Sequence, residues 1–191
     1  MCNKYDRNIN LTNIRLERRS FMSVEHEVLS EHIEDTQHGR FLTFSLGRED
    51  YGIEIILVTE IISLQSINQL PEVPDYIKGI INLRGKIIPV IDVRLRFKKE
   101  RMEYNDRTCI IVIDTGEISV GLIVDYVSEV ISIDDEDIAP PPDMKTGIQN
   151  RYIQGIGKVD DKVKLLLDCE KLFLDDEIQV LSDINMEGEI K

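Results

Sequence analysis

The chain repeats itself, and the repetition limits the folds open to it more than any single motif does. Tyr51-Gly52-Ile53 with Val58-Thr59-Glu60-Ile61-Ile62 recurs as Val120-Gly121-Leu122 with Val127-Ser128-Glu129-Val130-Ile131, a constant 69 residues later, and Gly47 finds its counterpart in Gly116. Further on, Gly79-Ile80, Lys86-Ile87, Asp92 and Leu95 to Phe97 recur 76 residues later as Gly155-Ile156, Lys162-Val163, Asp168 and Lys171 to Phe173. The change of 7 between the two offsets is an insertion where the loop Pro140-Pro141-Pro142 lies. A unit of about 60 residues buries too little surface to offset its conformational entropy comfortably. Two such units are therefore expected to pack over one core. The competing explanation is chance similarity among Ile- and Val-rich strands. Against it stands what differs: the first unit carries Leu83-Arg84-Gly85 where the second carries Val159-Asp160-Asp161. Residues that build a scaffold recur, whereas residues that make contacts need not.

Within each unit the hydrophobic pattern has the period of strands. Leu42, Phe44 and Leu46 alternate with Thr43 and Ser45, and a turn at Gly47 to Asp50 leads into Tyr51 to Ile55, a first hairpin. Apolar residues on both faces leave Ile56 to Ile62 ambiguous between a helical turn and a strand. Pro71 and Pro74 interrupt the chain before a second hairpin within Lys78 to Phe97, whose tip is Arg84 and Gly85. Glycine accepts a positive φ that arginine resists, so Gly85 is expected to set the turn and Arg84 to point outward. Pro89 in the returning strand suggests an edge or a bulge. Asp92 is placed to cap a helical turn from Val93 to Phe97. After the charged linker Lys98 to Arg107, strands are predicted over Thr108–Asp114, Ile118–Val124 and Val127–Ile133, and a last hairpin over Tyr152–Lys158 and Lys162–Leu167, with Asp168 capping Cys169 to Phe173. Ile178, Leu181 and Ile184 fall at helical spacing in the polar tail 175–191.

Composition removes several functions. With Asp+Glu 36 against Lys+Arg 23 the formal charge is -13, which repels phosphate backbones and argues against nucleic acid. Aromatics make up 6% and tryptophan is absent, so the core is expected to be aliphatic and mainly β. Cys2, Cys109 and Cys169 lack metal-ligand spacing and read as reduced thiols of a cytosolic protein. No apolar run reaches the length of about 18–20 residues that spans a bilayer, so no membrane insertion and a cytoplasmic location are expected. Residues 1–21 hold five cations (Lys4, Arg7, Arg15, Arg18, Arg19) against Asp6 and Glu17, and 1–38 reads as a flexible extension. His26, His32 and His38 do not share a helical face, and no histidine follows them for acid–base work. Gly155-Ile156-Gly157-Lys158 falls in a hairpin and does not open a helix, as a phosphate loop must. Asp134 to Asp137 lacks the glycine and terminal glutamate of a calcium loop. No catalytic residue, metal or cofactor is therefore assigned.

At the level of motifs the chain resembles the CheW family of chemotaxis coupling proteins. The resemblance rests on Tyr51-Gly52-Ile53, Val58-Thr59-Glu60-Ile61, Ile77 to Gly85, Ile88-Pro89-Val90-Ile91-Asp92-Val93-Arg94, Val124-Asp125 with Val127-Ser128-Glu129-Val130, and Tyr152-Ile153-Gln154-Gly155-Ile156-Gly157. It covers about residues 39–174, as two units near 41–97 and 108–173. It implies two SH3-like five-stranded β-barrels packed around a common hydrophobic core with short helical turns. It further implies a non-catalytic adaptor, peripheral to receptor arrays at the inner membrane, that links transmembrane methyl-accepting chemoreceptors to the regulatory domain of the histidine kinase CheA. By resemblance Val58, Glu60, Gly79, Arg84 and Gly85 hold the receptor's helical hairpin tip, with Glu60 and Arg84 paired at the rim of a groove between the barrels. The kinase contact is placed more loosely in the second unit, near Asp125 and Tyr126. Tyr126 stands where the family usually has glycine, the Pro140–Pro142 run is longer in proline, and the N-terminal extension has no counterpart. The alternatives are a β-barrel binding module of another two-component pathway, or an enzyme with an unrecognised site.

Overall fold

Alternating and continuous apolar runs become eleven strands among the described residues of the computed structural model, which are 37–116, 118–141, 152–159 and 162–172. The extension up to residue 36, Asp160 and Asp161, Pro142 and the predicted tail helix lie outside them. The strands are β1 (Arg40–Leu46), β2 (Glu49–Glu54), β3 (Val58–Ser63), β4 (Ile77–Leu83), β5 (Lys86–Asp92), β6 (Cys109–Asp114), β7 (Ser119–Val124), β8 (Tyr126–Ser132), β9 (Ile138–Ala139), β10 (Ile153–Val159) and β11 (Lys162–Leu167). A 3-10 turn over Ile55–Leu57 precedes β3, which resolves the ambiguous apolar run. The single described α-helix, α1 (Val93–Arg96), follows β5, and Asp92 caps it by accepting a hydrogen bond from Leu95 N at 3.1 Å.

The strands form a six-stranded sheet in the order β8-β1-β2-β11-β10-β9 and a five-stranded sheet in the order β3-β6-β7-β5-β4. Neither sheet is one repeat. The β1–β2 hairpin of the first repeat joins β8 to β11 of the second, and the β6–β7 hairpin of the second joins β3 to β5 of the first. Register follows the sequence match residue by residue. Gly52 pairs with Leu166 as Gly121 pairs with Val90, and Ile61 pairs with Ile111 as Val130 pairs with Leu42. The recurring glycine has a steric reason: a Cβ would come within 2.9 Å of Leu166 at Gly52 and 2.8 Å of Ile110 at Gly121. A side chain at either position would collide with the interior packing of its own sheet.

Three clusters fill the protein. Ile81, Ile88, Val90, Ile110, Val112 and Ile123 form the interior of the five-stranded sheet, and Phe41, Ile133 and Leu166 that of the six-stranded one. A larger cluster that includes Phe44, Ile53, Ile111, Val120, Leu122 and Tyr152 lies between the sheets and takes residues from both repeats. The result is mainly β, two SH3-like subdomains over a shared core, each curled around its own interior without a ladder that closes the ring.

One expectation about β5 is corrected. Pro89 lies neither on an edge nor at a bulge, because β5 runs between β7 and β4 and pairs Pro89 with Ile80 in regular register. The parallel ladder to β7 covers only Val90 to Asp92, so the residue without an N–H stands just outside it.

Candidate functional site

β3 is an edge of the five-stranded sheet, and one extra residue decides what it presents. Val58 pairs with Ile113 and Glu60 with Val112, so Thr59 bulges from the ladder, and its Oγ1 donates to Val112 O at 3.1 Å. A bulge re-aims the side chains around it. Val58 packs against the shared core, Ile62 packs against the interior of its own sheet, and Glu60 reaches across to the β4–β5 turn. There Arg84 meets it with two nitrogens, Nη1 to Oε1 at 3.0 Å and Nη2 to Oε2 at 3.2 Å. This fork-on-carboxylate geometry fixes direction as well as distance. The arginine side chain remains 79% exposed and the glutamate 30%.

The turn itself corrects the sequence reading. Arg84 has φ 54° and Gly85 φ 91°, so both central residues are left-handed, the signature of a type I′ hairpin turn. Arginine does not resist the conformation here. The two-residue link demands it, and Asn82 Oδ1 supports the turn by accepting from Gly85 N at 2.8 Å. Behind the ion pair lies a cavity of about 250 Å³ with Ile88 and Val112 as its apolar floor and Thr59, Asp114, Ser119 and Lys86 among its polar walls. All of these belong to the five-stranded sheet, so the pair stands at the mouth of one barrel and not, as expected, at the rim of a groove between the two. The floor residues were not singled out from sequence, because buried aliphatic positions in strands give no sign of facing a cavity.

Gly79 belongs to the support of this mouth. It is buried at φ 133°, and a Cβ there would sit 2.0 Å from Asn68 O, where the 64–70 segment crosses β4 through the Asn68–Ile80 bridge. Beside the shared core, Ile61 and its repeat counterpart Val130 stand 46% and 40% exposed on the edge strands β3 and β8. Val130 was missed, although its match to Ile61 at the 69-residue offset was a usable signal.

The residues proposed for the second partner separate. Asp125 Oδ2 accepts from Gly47 N at 2.7 Å and from Arg94 Nη2, and its Oδ1 accepts from Arg94 Nε at 3.2 Å, so this carboxylate ties the β1–β2 turn to α1. The same bonds push the Arg94 guanidinium above its ordinary pKa. Tyr126 is 45% exposed, with the Arg107 guanidinium 6.0 Å from its ring centroid. Of the pair, only the tyrosine presents a broad surface.

The matching mouth of the six-stranded sheet is built differently. Lys164 replaces Ile88 and Thr43 replaces Val112. Lys164 Nζ lies 2.6 Å from Asp50 Oδ2, Ser45 Oγ donates to Asp50 Oδ1 at 2.8 Å, and Thr43 Oγ1 donates to Glu129 O at 2.8 Å. A buried polar network thus occupies the positions that form an apolar floor in the other barrel. No cluster of metal-ligating side chains occurs among the described residues, nor a helix long and apolar enough to cross a membrane. Burial pushes the Cys109 and Cys169 thiols up, as packing residues require.

A family model described as the CheW-like domain matches residues 40–177. The chain belongs to the CheW-like family. A chemotaxis protein CheW of Klebsiella aerogenes is 37% identical over 150 residues, covering 78% of this chain and 90% of that protein. A CheW of Treponema pallidum is 33% identical over 166 residues, 85% and 97% of the two chains. The scaffolding protein TtCheW from Thermoanaerobacter tengcongensis, a solved structure, is 43% identical and superposes with a TM-score of 0.66 over 71% of this chain and 92% of its own. Membership makes this chain a non-catalytic coupling adaptor of chemotaxis signalling, the role by which CheW proteins join receptors to the kinase CheA.

Proposed function

We propose that this CheW-like adaptor holds the cytoplasmic helical hairpin tip of methyl-accepting chemoreceptors with Val58, Glu60, Arg84 and Gly85, and engages the CheA regulatory domain through the face that carries Tyr126. The observation that carries the reading is the Glu60–Arg84 fork, an exposed and directionally fixed charge pair over a cavity with an apolar floor and polar walls. A helix packed on it meets aliphatic surface at Ile61 and Val58 and a cation at the rim, which suits the mixed apolar and acidic face of a helical hairpin. Gly79 acts from beneath, by letting the 64–70 segment lie against β4. Receptor binding would hold the adaptor at the inner membrane as a peripheral component of the arrays.

Each contact is modest, since exposed ion pairs contribute about 0.2–1 kcal/mol. Repetition in an array multiplies such contacts without new chemistry. The test is co-sedimentation with receptor-containing membranes and kinase. Wild-type protein pellets with receptor, and Arg84→Glu or Glu60→Lys remains in the supernatant. Absence of wild-type pelleting, or equal pelleting of both charge reversals, refutes the site.

A further inference from the structure

The pseudo-symmetry that relates the two repeats passes through one residue that breaks it. Tyr76 and Tyr152 are counterparts at the 76-residue offset. Each stands just before the first strand of an equivalent hairpin, and each carbonyl accepts an equivalent backbone bond, from Asp92 N at 2.7 Å and Asp168 N at 2.9 Å. Arg96 and Leu172 are counterparts at the same offset. Arg96 Nε donates to Leu172 O at 2.8 Å, so the two meet each other. The Arg96 guanidinium then lies 4.6 Å from the Tyr76 ring centroid and 5.1 Å from that of Tyr152. One cation lies over two equivalent rings, one leading into the five-stranded sheet and one into the six-stranded sheet.

This cation is 7% exposed, and a charge so buried persists only where its surroundings satisfy it. Its surroundings come from both barrels. Leu172 and Tyr152 belong to the six-stranded side, whereas α1 and Tyr76 belong to the five-stranded side. A planar guanidinium lying over two rings and hydrogen-bonded in its own plane tolerates little rotation of one barrel against the other. Aliphatic contacts in the shared core resist separation of the barrels but are not directional.

We infer that Arg96 is a positioning residue that sets the angle between the two barrels, and thereby the geometry between the receptor-binding face on one and the kinase-binding face on the other. The clause about the two faces rests on the function proposed above, whereas the clause about the angle does not.

The experiment has two arms on the full chain. In the first, nitroxides at Lys86→Cys on β5 and Lys158→Cys on β10, with Cys2 and Cys109 replaced by serine, report the inter-barrel distance by pulsed electron resonance. Wild type gives one narrow distribution, whereas Arg96→Lys, which keeps the charge without the plane or the Nε–H, and Arg96→Met, which keeps the apolar stem without the charge, give broadened or displaced ones while circular dichroism retains the strand signal. In the second arm, Arg96→Met binds receptor membranes and kinase separately as wild type does, but bridges them about tenfold less well, because bridging alone requires both faces in fixed geometry. Arg96→Lys bridges no better than Arg96→Met, because charge without the planar fork does not fix the angle, and full bridging by the lysine variant would reduce the role to charge alone and overturn the proposal. A narrow, undisplaced distribution for Arg96→Met overturns the proposal, as does wild-type bridging by that variant. Should Arg96→Met fail to fold, Tyr76→Leu, which removes one ring at a half-buried position, decides by the same readouts. Failure of wild-type protein to bind either partner would refute the adaptor site and leave the first arm to judge the angle.

Discussion

Replacing Arg84 by asparagine separates what the hairpin tip does for the fold from what it does for a partner. Holding a side chain such as arginine at φ 54° costs about 1 kcal/mol or somewhat more relative to a residue at ease in the left-handed region. Asparagine visits that region readily, so the variant recovers most of this strain. It loses the fork to Glu60, but with the arginine 79% exposed that pair contributes only about 0.5 kcal/mol. The balance is a gain of about 0.5 kcal/mol, or roughly 1–2 °C in the unfolding temperature for a chain of this size. Receptor-membrane pelleting should nevertheless be lost, because the cation is gone from the rim. Scanning calorimetry and co-sedimentation on the same preparation check both halves. A fall in Tm of more than about 5 °C would show that the ion pair holds the barrel together, and unchanged pelleting would remove Arg84 from the site.

Gly79→Ala should behave oppositely. A Cβ 2.0 Å from Asn68 O displaces the segment that exchanges two hydrogen bonds of 2.9 Å with Ile80, and their loss with the strain at φ 133° costs about 3–5 kcal/mol, a drop near 10 °C by calorimetry. In Gly85→Ala, where nothing lies within 4 Å of the new Cβ, the φ penalty of about 1–2 kcal/mol should be the whole effect. Acid should weaken the fold through Asp50 and Glu49, whose carboxyls are held below their ordinary values of 3.8 and 4.5 chiefly by hydrogen bonds from Lys164 and Lys99. Because the folded values are the lower ones, the unfolded chain takes up protons first as pH falls. The stabilisation is complete above about pH 5, begins to fall as pH drops through those ordinary values and is gone only below the lower folded ones, so urea midpoints should fall from pH 5 to 3, and less steeply in Asp50→Asn. With a thiol reagent at pH 8, Cys169, 2% exposed, should stay unmodified until the protein unfolds, and early modification would contradict its place in the core.

The equivalence of the two repeats was legible in the sequence because scaffold positions are constrained twice, once in each repeat. Gly52 and Gly121, and Asp92 and Asp168, each perform one geometric task in two places, and matching one against the other exposes the task; the pairing of Tyr76 with Tyr152 was not drawn from the sequence. The exchange of hairpins between repeats was not legible. A strand pattern records which face is buried but not which strand lies alongside, and the parallel pairs β2–β11 and β5–β7 join residues from different repeats. For the same reason Pro89 misled, since its neighbours in the sheet decide whether a missing N–H matters. At the site, the partnership of Glu60 with Arg84 could be read from their types and the family pattern. The left-handed arginine could not be, because a single-residue preference yields to the two-residue turn.

Duplication gives two equivalent barrel floors, and their side chains differ in polarity. In the five-stranded barrel Ile88 and Val112 make an apolar floor to the cavity under the Glu60–Arg84 pair. At the same backbone positions of the other barrel Lys164 and Thr43 bring a buried cation and a hydroxyl, which are satisfied inside the mouth by Asp50 and by the Glu129 backbone. An apolar side chain entering there would leave those polar groups unpaired, whereas at the first mouth it would only extend a hydrophobic floor. Substitutions at the floor and the tip of an unchanged scaffold therefore make the surface of a pseudo-symmetric protein asymmetric. An adaptor with two different partners needs that asymmetry, since identical mouths would let either partner occupy both sites.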